Sequence, residues 1–213
     1  FDPKLSALWA AGTPPDVWSQ WGQSGFRDYL NRNMLLDQTP DLNTDGAGLH
    51  LSDISTKLRN LYTVDGKTYG IPFDTNGSYL FYNADLFQKA GLPDPPASWD
   101  DKSWTWAKLV SYAQKLTHDY GNPAQAQYGL NVNFWPSEVA LPLLWGGTVF
   151  DPAAYRTGVA TTNHIAAPAN IAAFQTVADL TYKEKVQPNP AILQGFSTLS
   201  DPMMSGRLAM ELT

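Results

Sequence analysis

Helical segments and short apolar segments alternate along most of this chain, and this alternation restricts the choice of fold most. A first helix is predicted to end at Ala11, a long helix covers residues 104–118, and a short apolar strand follows at residues 128–132. Between the two helices, residues 62–69 are typical of a hairpin, because Asp65-Gly66 supplies the positive φ angles of a two-residue turn. The pattern favours an α/β fold over a helical bundle or a β-sandwich.

The remaining elements are predicted from shorter signals. Strands are expected at residues 16–19, 71–73 and 78–82 and at the C-terminal end, with a surface loop at residues 37–48. Helices are expected at residues 26–31, 52–61, 84–90, 136–145 and 168–183, with one more beginning at Asp201-Pro202.

The charge balance argues against several classes of partner. The chain has 14 Lys and Arg against 20 Asp and Glu, a net charge of −6, and only 16% charged residues. A nucleic-acid surface or a polybasic membrane patch needs clustered positive charge, which this composition does not supply. Nucleic acid is therefore not an expected partner.

Aromatic residues are more abundant than a core of this size requires. Eight Trp and ten Tyr favour a ligand cleft or an interface, where rings with one polar edge are common. Without cysteine there is no disulfide or thiolate metal site, and His50, His118 and His164 lack the spacing of a zinc site. The chain also lacks the glycine motifs that cradle phosphate, so no cofactor or metal is expected.

Four segments, in order, resemble the family 1 extracellular solute-binding proteins, the group that includes the maltose- and oligosaccharide-binding proteins. They are residues 11–17 (AGTPPDV), 65–72 (DGKTYGIP), 80–92 (LFYNADLFQKAGL) and 204–210 (MSGRLAM). The third segment, with Pro95-Pro96 after it, is the most specific. Together the segments extend over nearly the whole chain.

This resemblance implies a periplasmic-binding-protein type II fold, in which two α/β lobes close around a ligand by a hinge motion. Residues 1–76 are expected to form part of the N-terminal lobe and residues 77–205 the second lobe, with residues 206–213 starting the return crossover. Family members are longer, so we expect an incomplete fold with part of the first lobe and most of the second.

The resemblance also implies a role and a location. The expected protein is a non-enzymatic, extracytoplasmic receptor that delivers a carbohydrate, in particular an oligosaccharide, to the permease subunits of an ABC importer. It is expected to be a monomer in the periplasm or at the cell surface as a lipoprotein, tethered through an N-terminal segment that precedes Phe1.

Sugars present hydroxyls at their rims and C–H groups on their faces, so a sugar site combines amide or carboxylate side chains with aromatic rings. In the first lobe, the resemblance implies contacts from Gln20 and Trp21 in one loop and from Asp74 and Asn76 in the crossover. Asp74 and Asn76 can instead accept hydrogen bonds from the backbone amides of their own turn. Trp18 and Trp21 can instead be core residues.

In the second lobe, the resemblance places ligand contacts just after a strand, where Asn133 and Trp135 lie. Trp145 is a further candidate, although a ring at a helix C-terminus is commonly a packing residue. The other tryptophans of this lobe are expected to be structural: Trp99, Trp104 and Trp106.

Two other functions remain as alternatives. A glycoside hydrolase would need two carboxylates at a short, defined distance, and the sequence spacing of Asp16, Asp74 and Glu138 identifies no such pair. A receptor of the same fold for a non-sugar solute is the second alternative. The tryptophans favour a sugar, and the shortage of Lys and Arg near the predicted site disfavours an anion.

Overall fold

The computed structural model describes residues 3–20, 25–75, 77–98, 100–134, 137–157, 159–196 and 201–213. The chain divides into two units, Phe1–Asn76 and Gly77–Thr213. The division falls in the polar link that follows Phe73. No helix within these described ranges has the length and apolar character needed to cross a bilayer.

Short helices and one β-hairpin build the first unit. Its elements are α1 (Pro3–Ala10), α2 (Phe26–Asn31), α3 (Thr39–Asp45), two 3₁₀ turns (Gly46–Leu49 and Leu51–Asp53), α4 (Thr56–Asn60), β1 (Thr63–Val64) and β2 (Lys67–Thr68). The predicted hairpin is confirmed, since β1 and β2 pair antiparallel and Asp65 and Gly66 have φ angles of 50° and 78°. Asp and Gly tolerate these angles better than other residues, which is why they occupy the turn.

Aromatic rings pack between the elements of the first unit. The Trp18 ring lies 6.3 Å from the Trp9 ring and 5.8 Å from the Tyr29 ring, and Phe26 lies 5.3 Å from Tyr62, all between ring centroids. These contacts are edge-to-face, the geometry that ring quadrupoles favour. Trp18 is therefore a packing residue, which was one of its two predicted roles.

The loop expected at residues 37–48 is a wrong prediction, because α3 and a 3₁₀ turn occupy it. Side chains fix the start of α3. The Asp37 carboxylate accepts a hydrogen bond from the Thr39 amide at 3.0 Å, and the Thr39 hydroxyl accepts one from the Thr68 amide at 2.9 Å. Hydrogen bonds from the Thr39 side chain and then from its amide lower the pKa of Asp37. A polar segment thus becomes helical through an anchor 29 residues away.

The strands expected at residues 16–19 and 71–73 are also wrong. A strand needs a neighbour to satisfy its backbone, and among the described residues no strand pairs with either segment. Val17 and Phe73 are 86% and 79% exposed, so neither segment has a buried side that would fix it.

A three-stranded sheet forms the centre of the second unit. Its elements are β3 (Leu80–Tyr82), α5 (Ala84–Lys89), α6 (Trp106–Leu116), β4 (Asn131–Val132), α7 (Ser137–Leu144), α8 (Pro152–Thr157), α9 (Pro168–Tyr182), α10 (Pro190–Phe196) and β5 (Met210–Leu212). The strand order is β3-β5-β4, with β5 antiparallel to β3 and parallel to β4. The segment expected to start the return crossover thus supplies the middle strand of this sheet.

The two faces of the sheet differ because side chains alternate along each strand. Leu80, Tyr82, Val132 and Met210 point to one face and belong to the main core. That core also contains the buried faces of α5, α6 and α9: Phe87, Leu109, Tyr112, Ala113, Leu116 and Leu180. The opposite face carries the intervening residues of the strands.

Local sequence signals set the ends of α5. The Asn83 side chain accepts a hydrogen bond from the Leu86 amide at 3.1 Å and donates one to the Met203 carbonyl at 2.8 Å, so the predicted cap also ties α5 to a distant loop. Gly91 follows with a φ of 64°, the left-handed geometry of a helix C-terminus.

Two helix starts in the second unit differ from the prediction. The long helix begins at Trp106, because Thr105 rather than Ser103 caps it. Asp201-Pro202 begins a series of turns instead of a helix, since the amides of Arg207 and Leu208 both bond to the Pro202 carbonyl.

Gly129 shows how closely the strand segment packs on α6. A Cβ at Gly129 would overlap the Ala113 carbonyl in the backbone of α6. We therefore expect Gly129→Ala to lower the free energy of unfolding by about 3 kcal/mol or more, because backbone must move to admit the methyl group. Urea unfolding followed by circular dichroism measures this change.

Gly121→Ala is the matched control, because nothing lies within 4 Å of the Cβ it would add. We expect this control to stay within about 1 kcal/mol of the wild type. Equal destabilisation by the two variants would contradict the close packing inferred at Gly129.

Candidate functional site

The face of the central sheet that points away from the core carries polar and aromatic side chains. We call it the polar sheet face, and it consists of Tyr79, Phe81, Asn131, Asn133, Glu211 and Thr213. Phe81, Glu211 and Asn131 lie in one row across the three strands, because Glu211 is the register partner of both others. Tyr79 and Thr213 extend β3 and β5 by one further pair, with backbone bonds of 2.8 and 3.1 Å.

Glu211 is the hydrogen-bonding centre of the polar sheet face. One of its carboxylate oxygens, Oε1, accepts from the side-chain amides of Asn131 at 3.1 Å and of Asn133 at 3.3 Å. Thr213 adds a bond from its hydroxyl to the Asn133 carbonyl at 2.9 Å. The chain positions of these residues differ by about 80, so only the sheet brings them together.

The aromatic part of this face lies on β3. Phe81 and Tyr79 are 51% and 49% exposed, and their rings meet edge-to-face with centroids 6.3 Å apart. Exposed rings beside hydrogen-bonding side chains provide both surfaces that a sugar or polyol needs, one for C–H groups and one for hydroxyls.

Among the predicted ligand contacts, Trp21, Asn76 and Trp135 lie outside the described residues. Gln20 is half-buried in an irregular segment. Asp74 is exposed, and its turn includes Asn76, which is not among the described residues, so both predicted roles of Asp74 stay predictions.

In the second unit, Asn133 is exposed and belongs to the polar sheet face. Trp145 is half-buried, and its ring packs edge-to-face on Trp106 with centroids 5.0 Å apart. No described hydrogen bond or ring contact joins Trp145 to Asn133. The contact with Trp106 supports the packing alternative for Trp145.

Five residues of this face escaped the sequence prediction: Tyr79, Phe81, Asn131, Glu211 and Thr213. They lie in three predicted strands, and each of them stands next to an apolar residue that faces the core, so the period-two alternation of those strands was their only sequence signal. Alternation alone could not identify them, because it does not say which strands are neighbours or in what register.

A second polar cluster surrounds Asp151 at the start of α8. Its carboxylate accepts hydrogen bonds from the Thr162 hydroxyl at 2.8 Å and the Ala154 amide at 3.0 Å, which lower the pKa of Asp151. These bonds cap a helix and close a loop, so the cluster is structural. No three His, Cys, Asp or Glu side chains in the described part of the chain converge as a metal site.

The two faces of β3 should differ in their contribution to stability. Phe81→Ala is expected to lower the free energy of unfolding by less than about 1 kcal/mol, because half of its side chain is already in water. Tyr82→Ala, its neighbour and matched control, is expected to cost about 2–4 kcal/mol, since its ring packs 5.0 Å from the buried Phe87.

Both changes are read from urea unfolding curves followed by far-ultraviolet circular dichroism. If Phe81→Ala costs as much as Tyr82→Ala, Phe81 is a core residue and the face is not open.

Comparison with known proteins identifies the family. Residues 2–213 match the sequence model of a family described as bacterial extracellular solute-binding protein. A binding protein of Brucella abortus is 48% identical over 106 residues, which are 50% of this chain and 25% of that protein. A mannitol-binding protein of Pseudomonas aeruginosa is 35% identical over 112 residues, 52% of this chain and 20% of that protein.

A solved structure shows the same fold. It is an ABC substrate-binding protein from Listeria monocytogenes in complex with cycloalternan, with a TM-score of 0.80, 27% identity, and coverage of 99% of this chain and 50% of that one. The chain therefore spans a quarter or less of these two relatives and half of this structural neighbour. The expected α/β periplasmic-binding-protein fold is confirmed, and the chain belongs to the bacterial extracellular solute-binding protein family.

Proposed function

We propose that the protein is an extracytoplasmic receptor for an uncharged sugar or sugar alcohol, which it hands to an ABC importer. The observation that carries the proposal is the polar sheet face, where exposed rings on β3 adjoin the carboxylate and amides of β4 and β5. This combination suits a molecule with hydroxyl rims and apolar faces.

The comparisons support the same class of ligand. One relative is a mannitol-binding protein and one structural neighbour is in complex with cycloalternan. Both molecules carry many hydroxyls and no charge. A receptor for such ligands needs hydrogen-bond acceptors and rings more than it needs Lys or Arg.

The proposed contacts come from both units. Gln20, Trp21, Asp74 and Asn76 are the proposed contacts of the first unit, and Asn133 and Trp135 those of the second. Asn133 has structural support, because Glu211 holds its side-chain amide at 3.3 Å. Residues 1–76 and 77–205 are proposed as parts of the two lobes, with closure by a hinge between them.

The family supports an extracytoplasmic location, whereas the oligomeric state, the docking partner and the membrane anchor are proposals. The family is an extracellular one. We propose that the receptor is a monomer that docks on the permease subunits of its importer and is held at the membrane as a lipoprotein.

A thermal-shift screen of the complete gene product tests the ligand class. Mannitol, ribitol, glucose, maltose and maltotriose form the neutral set, and spermidine, glycerol 3-phosphate and glucuronate form the charged set. A ligand at 100 times its Kd stabilises the folded state by about 2.7 kcal/mol, which raises Tm by about 5–10 °C in a chain of about 200 residues and by less in a longer one. We expect a shift of this order from a member of the neutral set.

Substitutions test whether the rise in Tm comes from binding at the proposed site. Asn133→Ala is expected to weaken binding about tenfold, by removal of one hydrogen bond. The control is Gln175→Ala, whose exposed side chain bonds to Asp179 within α9, and it is expected to bind like the wild type. If only charged solutes raise Tm, the carbohydrate proposal is wrong.

We also propose that the protein is not an enzyme. A hydrolase positions two carboxylates on opposite sides of the bond it cleaves. Glu211, the carboxylate of the polar sheet face, is instead tied to two amides. Incubation with maltotriose and other oligosaccharides is expected to leave them intact by anion-exchange chromatography, and release of shorter sugars with turnover would contradict the receptor function.

A further inference from the structure

The half-buried Glu211 carboxylate determines which atoms the polar sheet face offers to a ligand. A carboxylate only accepts hydrogen bonds, so Asn131 and Asn133 must both turn their NH₂ groups toward its Oε1. The amide oxygens of both asparagines then point away from Glu211. Within the described residues, no donor reaches the second carboxylate oxygen, Oε2.

Asn131 is the independent sign that this arrangement serves a ligand. Its side chain is buried, with an exposed fraction of 5%, and its amide oxygen has no hydrogen-bond partner in the described part of the chain. Buried amide oxygens are rarely left without a donor. Asn131 lies in the same row as Glu211 and Phe81, so a ligand on this face would lie beside all three side chains.

The polar sheet face therefore has three acceptors without a described donor, which are Glu211 Oε2 and the amide oxygens of Asn131 and Asn133. Each asparagine NH₂ also keeps one N–H that Glu211 does not use. Among the described residues no Lys or Arg forms an ion pair with Glu211, so its negative charge is not neutralised. Hydroxyls complement this face because they donate to its acceptors and also accept from the remaining N–H groups, whereas a negatively charged group is repelled by the Glu211 carboxylate.

We infer that Glu211 is a specificity-determining residue, which accepts hydroxyl hydrogen bonds through Oε2 and excludes acidic sugars and sugar acids. This role rests on the proposed function and specifies which sugars the receptor accepts. Glu211, on the middle strand of the sheet, selects the ligand, and it also orients Asn133, which contacts the ligand.

Glu211→Gln separates selection from folding, because the two side chains have the same shape. The carbonyl of the introduced glutamine can still accept from both asparagine amides, while its NH₂ group puts a donor and no charge where Oε2 stood. Glu184→Gln is the matched control, since Glu184 is also half-buried and accepts from an amide, that of Gln114 at 2.8 Å, at a site away from this face.

Titration calorimetry on the complete gene product uses two pairs of probes, mannitol with mannonate and maltose with maltobionate. For the neutral probe that binds, Glu211→Gln is expected to raise Kd about tenfold or more, because a hydrogen bond to a charged acceptor is lost. The preference for the neutral probe over its acid is expected to fall by a larger factor, since repulsion of the acid also disappears. Glu184→Gln should keep the wild-type preference.

The ratio of two Kd values does not depend on the folded fraction, so a partly unfolded variant still gives a decisive result. If the wild type binds a neutral probe and Glu211→Gln keeps the same preference, the inference fails and the proposed function stands. If the wild type binds none of the neutral ligands, or prefers the acids, both fail.

Discussion

The pairing of β5 with both of its neighbours is the interaction on which the second unit depends. β5 joins β3 and β4, which lie about 80 to 130 positions earlier in the chain, and no other described strand pairs with both. One strand of three residues therefore contributes to both the core and the candidate site. Its Met210 side chain packs in the core, and its Glu211 side chain lies between Phe81 and Asn131 on the opposite face. Core and candidate site are consequences of the same register, because a shift of one residue would exchange the two faces.

Local features of the structure were predictable because their cause lies within a few residues. Asp65-Gly66 set the hairpin turn, Asn83 capped α5 through the amide three positions later, and Gly91 ended that helix. The predictions that failed concern segments whose structure depends on residues far away in the sequence. The segment at residues 37–48 became helical through a bond to Thr68, and the segment at residues 16–19 found no partner strand among the described residues.

The residues of the candidate site also differ in whether the sequence alone could indicate them. Asn133 was predictable from its place after a strand in a recognisable family pattern, whereas Glu211 was not. Its importance lies in contacts with Asn131 and Asn133, about 80 positions away, and no spacing rule within one segment indicates such contacts. Trp145 stays a prediction as a ligand contact, and its ring packs edge-to-face on Trp106.

Hydrogen bonds on the edge of β4 that faces away from β5 hold the polar sheet face in place. The backbone amides of Gly129 and Leu130 donate to the Val186 carbonyl at 3.1 and 3.2 Å, so a loop takes the place of a fourth strand. The buried Gln187 side chain continues this edge by accepting from the Val132 amide at 2.9 Å.

A two-residue strand held on both edges cannot change register without losing all of these bonds, and the loss of a buried bond costs about 1–3 kcal/mol. Asn131 and Asn133 are thus oriented before any ligand arrives. Preorganised groups lose little conformational freedom on binding, so less of the binding free energy is spent on ordering the site. In the proposed receptor, selection among ligands then depends on which atoms this face presents.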